Sequence, residues 1–139
     1  MQAPLRDGDM LAALDLGSNS FHMVVAQRVL GQLRVVDRLR ETVRMAEGLD
    51  KLGGLAPDAR DRALDCLLRF GQRIADIPPQ HVRAVATNTV RQLRAPESFL
   101  EPAERALGHA IDVVSGPEEA RLIYQGVSHL LPQSDERRL

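Results

Sequence analysis

With 139 residues, the chain has room for one compact domain and one core, not two. A net charge of −1 gives no broad electrostatic pull toward nucleic acid or an anionic membrane, and a single cysteine, Cys66, excludes a disulfide framework within the chain. Aromatic residues are confined to Phe21, Phe70, Phe99 and Tyr124, so an aliphatic core of the kind found in α/β domains is expected.

Met10 to Leu16 is a short apolar run carrying Asp15 near its end, and reads as a strand. Gly17-Ser18-Asn19-Ser20 is a turn cluster, Phe21 to Arg28 reads as a second strand, and a Gly31-Gln32 turn leads into a third from Leu33 to about Val43. Two short turns between three strands make an antiparallel meander. Residues 44–56 read as a loop with Gly48, Gly53 and Gly54, and Pro57 takes a first helical position. That helix is expected to run to about Asp76, with Leu64, Leu67, Leu68, Gly71 and Ile74 along one stripe, and Pro78-Pro79 stop it. Cys66 lies in the same amphipathic run and reads as buried packing rather than a nucleophile.

Val82 to Ala86 reads as a fourth strand, followed by Thr87-Asn88-Thr89. Pro96 to Leu107 reads as a helix ended by Gly108, and Ala110 to Val114 as a fifth strand. Ser115-Gly116-Pro117 then opens a last helix to about Leu131, before Pro132 and a polar tail. The order β-β-β-α-β-α-β-α predicts an α/β fold with a mixed five-stranded sheet and helices against its faces. Residues 1–9 are expected to be an N-terminal tail, 10–131 the domain, and 132–139 a tail at a truncation point. No apolar stretch approaches the roughly 20 residues that cross a bilayer, and no signal-peptide core is present, so a cytoplasmic protein is expected.

Asp15-Leu16-Gly17-Ser18-Asn19-Ser20 is the first candidate site. Gly17 lets the backbone approach an anion, and successive N–H groups around Ser18, Asn19 and Ser20 can form an anion-binding nest. Asp15 would bind magnesium directly or through water, since that hard ion takes oxygen ligands and keeps several waters. A plain hairpin turn would use the same residue types. The pattern resembles the first phosphate loop of the actin, Hsp70 and sugar-kinase superfamily, with its ribonuclease H-like, actin-like ATPase lobe. The longer run Ala13 to Met23 resembles, more narrowly, the exopolyphosphatase and guanosine pentaphosphate phosphohydrolase (Ppx/GppA) family within it. Arg44 to Leu49, Ala86 to Arg91 and Ser115 to Tyr124 resemble three further segments of that family, in the right order.

Taken bare, Arg91 is a solvated arginine at a helix start; with the resemblance it is expected to hold a substrate phosphate in a charge-assisted contact. Thr87 and Asn88 read as local capping groups. Two carboxylates compete for one catalytic role. Ser115-Gly116-Pro117-Glu118 has capping-box spacing, which gives Glu118 a structural task. A helical projection puts Glu119 beside the face of Ala120, Ile123, Tyr124, Val127 and Leu131, with Glu118 on the opposite side. The resemblance implies a general base before Ala-Arg, so Glu119 is the expected catalytic residue, with Glu118 as runner-up. Arg121 reads as a structural ion-pair partner, with a substrate contact as the alternative. His22, His81, His109 and His129 fit no metal-ligand spacing.

The resemblance implies hydrolysis of a terminal phosphoanhydride with Mg2+. Its substrates would be inorganic polyphosphate, shortened by one orthophosphate at a time, or guanosine pentaphosphate. It also implies a first lobe whose second, Gly-rich phosphate loop is missing, so this polypeptide is expected to be inactive or weak alone, with a homodimer open to the full-length parent. A non-catalytic phosphate or nucleotide sensor would keep Asp15 to Ser20 without needing Glu119. A kinase relative would not be expected to carry both the Thr87 to Arg91 and the Glu118 to Arg121 segments.

Overall fold

The nearly continuous apolar run of the first strand leaves it no exposed face. A computed structural model describes residues 5–86 and 88–114 of the chain. In it β1, Met10–Leu16, is the central strand of a five-stranded sheet. Ala12, Leu14 and Leu16 face the main core, while Leu11 and Ala13 join a smaller cluster on the opposite face. β1 pairs antiparallel with β2, Ser20–Val29, and parallel with the later strand at Val82–Ala86.

β2 continues into β3, Gln32–Thr42, through Leu30 and Gly31. Both residues have left-handed backbone, with φ of 52° and 78°, as in the tight turns whose twist matches a hairpin. The turn thus falls one residue earlier than the sequence suggested. A bulge lies further along the same pair, where Val25 opposes Asp37 and Ala26 opposes Val35, leaving Val36 unpaired. Side-chain alternation changes phase there. Leu33 and Val35 lie with the smaller cluster, whereas Leu39 packs against the main core.

Residues 43–56 lead from β3 into α1, Pro57–Arg73, and include one short 3-10 turn at Ala46–Gly48. Pro57 opens α1 as expected, since its missing N–H is not needed in the first turn. The helix ends three residues before Asp76, because Ile74 leaves helical geometry and its N–H turns back to the Gly71 carbonyl. Ala63, Cys66, Leu67 and Phe70 of α1 enter the main core. Its Arg69 and Arg73 pair with Glu41 and Asp37 of β3.

β4 is Val82–Ala86, and the helix start expected at Arg91 comes a few residues earlier. Asn88–Gln92 form a short helix, α2, because Val90 and Leu93 both turn into the core. α3, Glu97–Leu107, follows and packs on α1. Gly108 ends it in left-handed geometry, with φ of 84° and its N–H bonded to the Glu104 carbonyl. β5 is only Asp112–Val113, shorter than expected, and runs parallel to β4. The sheet order is β3-β2-β1-β4-β5, a mixed α/β sheet. The helix expected from Pro117 onward lies outside the described residues. Among the described residues no helix is long and apolar enough to cross a membrane.

Candidate active site

Because β1 and β4 are parallel neighbours, the segments that follow them emerge at the same sheet edge. That is where open α/β sheets usually bind ligands. Gly17 to Asn19 make the β1–β2 turn, closed by a 3.1 Å bond from the Gly17 N–H to the Ser20 carbonyl. A Cβ on Gly17 would come within 3.0 Å of that carbonyl, so a larger residue would push the turn open.

The residues after β3 strap the turn down. The Asn19 carbonyl accepts from the N–H groups of both Val43 and Arg44, each at 2.8 Å, and the Ser18 carbonyl accepts from Ala46 at 3.0 Å. Arg44 takes an unusual left-handed φ of 59° at this double contact. Val43 and Met45 anchor the strap in the core. With its carbonyls engaged by the strap, the turn keeps its N–H groups for other partners. Among the described residues the Ser18 and Asn19 amides make no hydrogen bond.

The third segment arrives from β4. Thr89 is buried, and its hydroxyl donates to the Ser18 hydroxyl at 2.8 Å. Arg91 stands two residues on, exposed on α2. Gly53 joins the same cluster, since its carbonyl accepts from the Arg94 N–H at 2.9 Å. Asp50 shapes that part of the strap by accepting from the N–H groups of Gly54 and Leu52, and these bonds hold its carboxyl below the usual range. Residues 17–20, 43–56 and 88–94 therefore form one edge.

Asp15 is half-buried near the end of β1 and sits opposite His22 of β2. Burial raises its carboxyl pKa, and the nearby His22 only partly offsets this. His22 itself is held below its usual range by burial, against the pull of Asp15 and with a push from Arg40. Among the described residues no donor hydrogen-bonds the Asp15 carboxylate. Ser20 is only 7% exposed, and its hydroxyl is buried with no hydrogen-bond partner.

Beside the strap lies a groove of about 690 Å3 lined by Thr42, Arg44, Glu47, Asp58 and Arg62. Its charges pair off, Arg44 with Glu47 at 3.6 Å and Arg62 with Asp58 at 3.4 Å, so it presents no net charge to an anion.

The structure thus brings Asp15, Gly17, Ser18, Asn19 and Ser20 to the edge that carries Arg91. Glu119 lies outside the described residues, as do Thr87, Glu118 and Arg121. Sequence reasoning missed two contributors. Thr89 received no role, although a hydroxyl residue directly before buried Val90 was the available signal. The strap's hold on the turn carbonyls left no local signal, because it joins residues more than twenty apart.

The sequence model of the Ppx/GppA phosphatase family matches residues 24–139. The chain belongs to the Ppx/GppA phosphatase family. An exopolyphosphatase from Cytophaga hutchinsonii is 25% identical and superposes with a TM-score of 0.75, covering 87% of this chain and 39% of its own. An exopolyphosphatase-like protein is 30% identical with a TM-score of 0.71, over 83% of this chain and 35% of its own. The Aquifex aeolicus member of the Ppx/GppA family is 26% identical with a TM-score of 0.70, over 80% of this chain and 36% of its own. The Ppx/GppA chain described here therefore spans well under half the length of these relatives. Its mixed sheet is the actin-like, ribonuclease H-like lobe that the resemblance implied.

Proposed function

We propose that this Ppx/GppA chain supplies one wall of an exopolyphosphatase site, in which the terminal phosphoanhydride of inorganic polyphosphate is hydrolysed to release orthophosphate. The observation that carries this is the convergence of the 17–20 turn, its strap and α2 at one sheet edge, joined by the Thr89–Ser18 bond. The exopolyphosphatase names of two relatives support polyphosphate as the first substrate to test.

In this site the Ser18 and Asn19 amides receive phosphoryl oxygens, and Arg91 holds a phosphate by a charge-assisted contact. Asp15 fits a magnesium ion, because it is a half-buried carboxylate whose charge no described donor relieves. Mg2+ commonly uses one or two carboxylates, with substrate phosphates and waters completing its shell. Bound there, the ion would neutralise phosphoryl charge. Glu119 acts as general base on the attacking water, a role resting on its sequence position before Ala-Arg. Activity is assigned to the whole gene product, where a second wall completes the cleft.

The test is orthophosphate release by the full gene product from long-chain polyphosphate and from guanosine pentaphosphate with magnesium, beside Glu119→Gln. Turnover in the variant is expected to fall at least about 100-fold while substrate binding stays within a few-fold. Faster release from guanosine pentaphosphate would move the substrate assignment to the nucleotide. Binding without release in the wild type would leave a phosphate sensor in place of the hydrolase.

A further inference from the structure

We propose that Thr89 is a positioning residue for the phosphate turn, setting the Ser18 hydroxyl as a donor and fastening α2, with Arg91, to the turn. This role rests on the phosphate site proposed above and adds a residue to it.

Thr89 is 5% exposed, so its hydroxyl needs a partner inside the protein. That partner is the Ser18 Oγ at 2.8 Å, 71 residues away in sequence. A hydroxyl has one proton to give and two lone pairs to offer. When Thr89 donates, Ser18 has accepted one bond and keeps its own proton. Ser18 is only half-buried, in the turn whose Ser18 and Asn19 amides are unengaged among the described residues. Its proton is therefore left to a ligand oxygen at the same place the amides serve. Without Thr89 the Ser18 hydroxyl rotates freely, and part of the binding energy is lost in fixing it.

The bond also couples the turn directly to α2. The turn is held from one side by the strap, through Ser18 and Asn19 carbonyls. Thr89 holds it from the other, and Val90 and Leu93 seat α2 in the core on either side of Arg91. Arg91 and the turn are thereby kept in a fixed relation, which one phosphate bound by both requires. A valine in place of Thr89 would keep the packing shape and remove only the hydroxyl, so the bond can be tested apart from the fold.

The experiment measures polyphosphate binding, kcat and KM in the full gene product for Thr89→Val, Thr89→Ser, Ser18→Ala and the Ser18→Ala/Thr89→Val double variant, with thermal unfolding of each. Thr89→Val is expected to weaken polyphosphate binding and raise KM by about tenfold, with kcat within about threefold. Thr89→Ser restores the hydroxyl and should bind within about twofold of wild type. In the Ser18→Ala background Thr89→Val should cost no further affinity, since residues acting through one contact are not additive. Wild-type affinity in Thr89→Val would overturn the role. So would equal loss in Thr89→Ser, or the same tenfold penalty with Ser18 already removed, both of which mark a packing effect. A wild type that neither binds nor cleaves polyphosphate fails at the site itself, a result read before any variant is compared.

Discussion

Asp15 occupies a place where a carboxylate is costly. It is half-buried opposite His22, and burial raises its pKa in the folded state above the unfolded value. A group shifted in that direction favours folding when protonated, and that contribution is lost as pH rises through the folded pKa. At neutral pH the ionised Asp15 therefore opposes stability. Asp15→Asn is expected to leave the melting temperature at pH 7 unchanged or raise it by a few degrees, with the advantage fading as pH falls through the ordinary carboxylate range. Turnover of the full gene product should drop at least about 100-fold in the same variant. A clear fall in melting temperature at pH 7 would make Asp15 a structural partner instead. Cys66 shows the opposite kind of burial. It is fully enclosed in the core, and burial first, then Glu41, pushes its thiol up and away from reactivity. The packing role expected from its amphipathic run is the one it has.

The helices are set against each other by a close backbone approach. Gly71 of α1 faces the end of α3, where an added Cβ would lie 2.5 Å from the Leu107 carbonyl oxygen and 2.9 Å from that of Ala106. Those atoms belong to backbone, which cannot rotate aside. Gly71→Ala is expected to destabilise the fold by about 1–3 kcal/mol, seen as a lower urea midpoint with an unchanged slope. An unchanged midpoint would show that α1 and α3 can separate without loss. The sequence put Gly71 on the apolar stripe of this helix, so its burial was legible, but not the neighbour that requires it to be glycine. Of α2, only a helix start near Arg91 was legible. Five residues are too few for a helical period to show, and only the core positions of Val90 and Leu93 explain its turn.

Across the whole molecule, sheet topology assembles the site. β1 and β4 are adjacent and parallel although about seventy residues separate them, so the 17–20 turn and α2 leave the same edge. The strap after β3 closes over that edge because β3 ends beside the start of β2, where Thr42 opposes Ser20. The relatives are two and a half or more times longer than the part this chain matches. Phosphoryl transfer needs groups positioned on both sides of the phosphate. Residues 1–139 expressed alone are expected to release orthophosphate at less than about one-thousandth of the rate of the full gene product. Comparable rates would show that this lobe suffices and would overturn the two-walled site.

The amino-acid sequence by itself determined what short-range rules can carry. A short apolar run before a turn cluster marked β1, Pro57 and Gly108 marked helix ends, and the run Asp15 to Ser20 carried both its turn chemistry and its family likeness. Each of these depends on residues a few positions apart, where backbone geometry and side-chain type act directly. Tertiary structure alone decided the order β3-β2-β1-β4-β5, the phase change at Val36 and the bond from Thr89 to Ser18. A bulge is invisible until its partner strand is present, because odd-numbered Leu33, Val35 and Leu39 look like one face in either register. A hydrogen bond spanning 71 residues exists only after the sheet has brought both ends together, and it is there that the candidate site takes its form.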